Sequence, residues 1–128
     1  QLHGGRRLIP TAPGERWPVL QRHVLADGIM EAAVAHVVER LRRPPALVHD
    51  GYLERQAGKI RRALDAVEGA AGSLGERADL ATITLGCALG YLDFRLPQLD
   101  WRRGRPALAR WEGVFAARPS LAATLPHL

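Results

Sequence analysis

Between Leu80 and Leu92 the chain carries no charged side chain, and apolar groups fall on every side of the helix such a stretch forms. A helix without a polar face must be buried on all sides. The run is too short for the roughly 18 residues a membrane-spanning helix needs, so it reads as the core rod of a globular domain. Ala81, Gly86, Ala88 and Gly90 let neighbouring helices come close, and Asp79 stands at the entrance, where a carboxylate can accept from unpaired backbone amides. Everything else in the sequence has to be arranged around this rod.

Proline and glycine punctuate the rest. Residues 1–16 are rich in Gly, Pro and Arg without a period and read as a linker. A first helix is expected from Glu15–Pro18 to the Pro44-Pro45 pair, with Met30, Val34, Val37, Val38 and Leu41 at helical spacing and Asp27, Glu31, Glu39 and Arg42 opposite. A second, from about Ala46 to Glu68, has Leu53, Ala57, Ile60, Leu64 and Val67 on one stripe. Gly69, Gly72 and Gly75 break the chain before the rod, which Leu96-Pro97 ends. Pro106 opens a fourth helix with Leu108, Trp111 and Phe115 on one face, and a fifth runs from Pro119-Ser120 to Pro126. No stretch alternates like a strand and no repeat is visible. The expected fold is all-α: a five-helix bundle around a buried central helix.

The 128 residues suit one compact domain. The chain starts at Gln1, and its opening Gln-Leu-His-Gly-Gly resembles a helix end running into a turn, so it is expected to be part of a longer protein. Without a secretory leader pattern or a membrane span, a cytoplasmic location is the default. A net charge of +5 raises the question of nucleic acid. The cations are 17 arginines and Lys59 beside 20 alanines, a bias that suits GC-rich codons, and they scatter over several segment ends. Nucleic-acid binding is not the favoured reading.

Catalytic groups are scarce. The single Cys87 excludes a disulfide framework and a cysteine-based metal site, and its mid-helix position suggests an inert core thiol. His3, His23, His36, His49 and His127 match no zinc-helix spacing, so no metal is expected. His23, Asp27 and Glu31 stack at i, i+4, i+8, which suits an exposed polar face with a His–Asp pair better than a cation site. Neither Ser73 nor Ser120 has a His and Asp in support, and nothing beside Tyr52 or Tyr91 tunes either phenol. The residues alone contain no catalytic centre.

Three segments in register carry a family resemblance. Ala78-Asp79-Leu80-Ala81-Thr82-Ile83 with Cys87-Ala88-Leu89-Gly90-Tyr91-Leu92-Asp93-Phe94-Arg95 resembles the central helix of the C-terminal domain of bacterial glutathione S-transferases. Ala26-Asp27-Gly28-Ile29-Met30 resembles that domain's first helix, and Arg118-Pro119-Ser120-Leu121-Ala122-Ala123-Thr124 its closing turn. The likeness spans about residues 8–126. It implies that residues 1–13 are the end of a thioredoxin-like N-terminal domain plus linker, and 14–128 the helical C-terminal domain.

In such enzymes the thioredoxin-like half binds glutathione and activates its thiol, while the helical half supplies one wall of the electrophile pocket. The resemblance therefore implies that this chain alone is inactive. It places Asp27 where an acidic residue reaches across the dimer to glutathione. It also places an apolar electrophile against Met30, Ala33, Val34, His36 and Val37. Homodimerisation through the first two helices follows by the same likeness. Asp79 matches the family's helix-capping box, with Glu76 standing where Ser or Thr is usual. Similar helical domains also serve as non-catalytic ligand- or protein-binding modules, which is the alternative reading.

Overall fold

The computed structural model describes residues 7–126. The expectations for Gln1–Arg6, His3 among them, and for His127 lie outside this range. Five α-helices are present among the described residues: α1 (Pro13–Arg42), α2 (Asp50–Ala70), α3 (Leu80–Arg95), α4 (Pro106–Phe115) and α5 (Pro119–Ala122). Short 3-10 turns at Pro45–Leu47, Ala71–Ser73 and Pro97–Leu99 link them. α1 packs along both α2 and α3, and α4 closes on α2, on the turn after it and on α3. No described helix is long and apolar enough to cross a membrane.

Ile29, Ile60, Leu64, Leu89, Leu92 and Leu108 are fully buried and bring all four long helices into one core. Burying each such side chain contributes about 1.5–3 kcal/mol before entropy is counted. The stripe expected on α2 is present: Ala57, Ile60, Leu64 and Val67 are buried. That helix starts at Asp50 rather than Ala46. Its N-cap is His49, whose Nδ1 accepts the Tyr52 N–H at 2.9 Å.

α1 turns a different face inward from the one expected. Its buried residues are Val19, Ala26, Ile29, Ala32, Ala33, His36 and Glu39, while Val34, Val38 and Leu41 are exposed. The small alanines let α1 lie close to its neighbours, and the bulkier valines stay outside. Glu39, expected on the polar side, accepts from Arg43 Nε at 2.7 Å and from the His49 N–H at 3.2 Å, tying the end of α1 to the start of α2. That hydrogen bond from Arg43 is the main reason its carboxyl lies below the ordinary carboxylate range.

α3 is central, but only half of it is covered by described residues. Ala81, Thr82, Leu85, Ala88, Leu89 and Leu92 are buried. On the opposite side Ile83, Gly90 and Phe94 are half-buried, as are Leu80, Thr84 and Tyr91 on the flanks. Cys87 is exposed, not the core thiol its neighbours suggested. Burial on all sides thus holds for one half of the rod.

Both ends of the loop region are fastened by hydrogen bonds. Asp79 Oδ1 accepts the Thr82 N–H and Thr82 Oγ1 accepts the Asp79 N–H, each at 2.9 Å, a reciprocal cap for α3. The Thr82 hydroxyl donates to the Arg77 carbonyl, and the Leu80 N–H donates to the Leu8 carbonyl. At α4, Glu68 reaches over from α2 and its carboxylate accepts the Ala107 and Leu108 N–H groups at 3.1 and 2.7 Å. This remote acid does the work of an N-cap, because Arg105 offers no side-chain acceptor there. Between α3 and α4, Asp93 accepts from Trp101 Nε1 and from both Nη atoms of Arg102, closing a loop that turns at Asp100 with φ +42°.

Candidate functional site

The residues singled out for ligand contact all lie on α1, and its rotation separates them. Asp27 is exposed, on the same outer face as Trp17, Val24, Val34 and Val38. His23 does not join it. Its Nδ1 lies 2.9 Å from Thr84 Oγ1 on α3, and the Thr84 hydroxyl gives its proton to the Leu80 carbonyl, so the imidazole donates. The expected face of His23, Asp27 and Glu31 is therefore split, because the histidine turns toward the bundle. Among the described residues no group of three or more His, Cys, Asp and Glu is arranged to hold a metal ion.

Ala33 is only 1% exposed and belongs to the core; it offers no surface to a ligand. Met30 and Val37 are half-buried against that core, and Val34 stands further out. His36 and Val37 line a cleft of about 460 Å³ at the C-terminal ends of α1 and α3. Arg40 and Leu41 extend that wall by one turn, and Phe94 and Arg95 face it from α3. The first two were legible as i+4 continuations of His36 and Val37. Phe94 and Arg95 arrive only through packing of α3 on α1, which no local pattern announces.

His36 is the unusual group in the cleft. It is 6% exposed, and its Nδ1 is buried without a hydrogen-bond partner. Burial pushes the imidazole below its ordinary range; Arg40 adds to this and Glu54 opposes it. Burial and Arg40 thus both disfavour the charged ring. Arg40 and Arg95 make no ion pair among the described residues, and the Arg95 guanidinium lies 4.4 Å from the Phe94 ring centroid.

A second cleft of about 450 Å³ lies between residues 71–76 and α4. There the stacked Trp111 and Phe115 rings are fixed by bonds from Trp111 Nε1 to the Gly75 carbonyl and from Arg118 to the Glu76 carbonyl. These polar groups are satisfied and fasten the loop to α4. Glu76 contributes only its backbone here, and its side chain is exposed. The cap of α3 is built three residues later than the resemblance implied, from Asp79 and Thr82, because Thr82 supplies the hydroxyl that Glu76 lacks.

Residues 50–112 match the family model for the glutathione S-transferase C-terminal domain. An uncharacterised glutathione S-transferase-like protein of Escherichia coli K12, YibF, is 39% identical over 122 residues, covering 93% of this chain and 60% of the relative. A solved glutathione transferase family member from Pseudomonas fluorescens Pf-5, with bound S-(propanoic acid)-glutathione, is 44% identical with a TM-score of 0.96. That match covers all of this chain and 66% of that one. A glutathione S-transferase from Methylobacillus flagellatus KT with glutathione bound is 34% identical with a TM-score of 0.90, over 99% of this chain and 64% of that one. The chain thus spans between three-fifths and two-thirds of these relatives. With its all-helical fold, its half-covered central rod and these matches, the chain belongs to the glutathione S-transferase family and corresponds to its C-terminal helical domain.

Proposed function

We propose that this chain is the helical half of a glutathione-dependent transferase, with residues 14–128 as the helical domain and 1–13 as the link to a thioredoxin-like N-terminal half. The observation that carries the reading is the outer side of α3. Ile83 and Tyr91 are half-covered and Cys87 is exposed, yet no charge is placed among them. An apolar face of this kind is kept charge-free when another surface packs on it. The matched relatives, longer than this chain, have bound glutathione or a glutathione conjugate.

In this reading the N-terminal half activates the glutathione thiol by favouring the thiolate. The helical half supplies a wall of the apolar electrophile pocket through Val37 and His36, with Met30 and Val34 further along α1. The exposed Trp17, Val24 and Val38 share the outer face of α1 with Asp27, which suits a homodimer in which Asp27 of one protomer reaches the glutathione held by its partner. The location is cytoplasmic.

The test is turnover of 1-chloro-2,4-dinitrobenzene with glutathione by the intact two-domain protein and by this chain alone. The intact protein conjugates, and Asp27→Ala raises its KM for glutathione; the isolated chain shows no rate above buffer. An intact protein that binds partners or apolar ligands but conjugates nothing supports a non-catalytic module instead.

A further inference from the structure

The cleft at the ends of α1 and α3 has a chemistry that the transferase reading leaves unused. Its walls are apolar where Val37, Leu41 and Phe94 line it, and its charged groups are Arg40 and Arg95, with no acid among the lining residues. Cations in the last turn of a helix offset its dipole, which accounts for one charge at each helix end. It does not account for two arginines from different helices lining one cavity without a carboxylate. Four other arginines of the described residues pair with carboxylates. Arg43 pairs with Glu39, Arg61 with Glu54, Arg102 with Asp93 and Glu112, and Arg105 with Asp65. Glu54, the acid whose field reaches His36, is already held by Arg61 at 2.7 Å.

Resting on that transferase reading, we propose that this cleft selects electrophiles that carry a carboxylate, Arg40 and Arg95 holding the anion while Val37, Leu41 and Phe94 take the apolar body. A guanidinium fork matches a carboxylate with two parallel N–H···O bonds, and charge-assisted bonds are about twice as strong as neutral ones. Because both arginines are exposed, water screens part of the attraction. The preference is therefore on the order of tenfold, a difference of about 1.4 kcal/mol.

The test compares 4-chloro-3,5-dinitrobenzoate with its methyl ester in the intact protein. In both, the glutathione thiolate forms a C–S bond at the chlorine-bearing carbon, the C–Cl bond breaks, and chloride leaves with the electron pair; the thiol proton passes to solvent. Arg95→Gln and Arg40→Gln each lower kcat/KM for the acid about tenfold, mainly through KM, and leave the ester within about twofold. Arg95→Lys recovers part of the loss, and Arg103→Gln, a cation away from the cleft, leaves the acid-to-ester ratio unchanged. Equal effects on acid and ester overturn the proposal. So does a matching effect of Arg103→Gln, or a shift confined to the KM for glutathione. If neither compound is turned over, the transferase reading fails, and calorimetry with 3,5-dinitrobenzoate decides this one separately. Binding weakened about tenfold by either glutamine substitution sustains it; binding that is absent or indifferent to both overturns it.

Discussion

The two sides of α3 are alike in sequence and unlike in structure. Ala81, Leu85, Ala88, Leu89 and Leu92 are at most 2% exposed, sealed by α1 and the rest of the core. Ile83, Tyr91 and Phe94, equally uncharged, are only half-covered, and Cys87 is open. Charge is excluded from a helix face by whatever finally packs on it, so the pattern of α3 records partners both inside and outside this chain. The inner side shows what the described residues cover; the outer side shows what they leave for another surface.

The sharpest way to break this contrast is to truncate one residue on each side of the isolated chain. Leu89→Ala leaves a cavity at a fully buried position and costs about 2–5 kcal/mol. Ile83→Ala on the outer side costs less, about 1 kcal/mol, since its side chain is only half-buried by the described residues. Urea denaturation measures both. Equal costs would mean that the outer side is as well packed as the inner. In the intact two-domain protein the penalty for Ile83→Ala should rise.

A smaller effect comes from the entrance of the same helix. Asp79→Ala removes the acceptor for the Thr82 N–H at a buried cap and lowers stability by about 1–2 kcal/mol. An unchanged melting temperature would refute that role. Glu76→Ala, whose side chain is exposed and outside the cap, should leave the melting temperature within a degree or two of the parent chain.

The far end of the bundle gives the smallest shift, and it depends on pH. The folded-state pKa of His36 is lowered, by burial first and then by Arg40, from an ordinary value near 6.5. Between the two values the unfolded chain binds more protons than the folded one, so stability rises with pH across that window. The contribution is present above about pH 6.5 and is lost as the pH falls through the lowered folded value. The melting temperature should fall between pH 7.5 and 5.5, and His36→Gln should flatten part of that slope. Glu39, lowered chiefly by its bond from Arg43, adds a separate loss only in the acid range below its ordinary 4.5.

Much of the fold was legible because prolines and glycines mark the helix ends and because the α2 stripe is regular. The inner face of α1 was not. Val34, Val38 and Leu41 outweigh Ala26, Ala32 and Ala33 in hydropathy, yet small residues allow close helix approach and take the inside. The capping pair was misplaced by three residues because Thr82 looked like one more member of an apolar rod. Its hydroxyl is fully buried and satisfied by Asp79 and Arg77. Of the proposed ligand wall, only His36 and Val37 reach the cleft. Its other side, Phe94 and Arg95, is contributed by tertiary packing, which spacing along one helix cannot show.

The reactivity of Cys87 tests most directly whether α3 has an absent partner. It is the one cysteine in this chain and lies in the middle of the open side. The isolated chain, verified as helical by circular dichroism, and the intact two-domain protein are pulsed with a thiol reagent, and labelling at Cys87 is read by peptide mass mapping. The account predicts rapid labelling in the isolated chain and at least tenfold slower labelling in the intact protein. Equal rates in the two would contradict it.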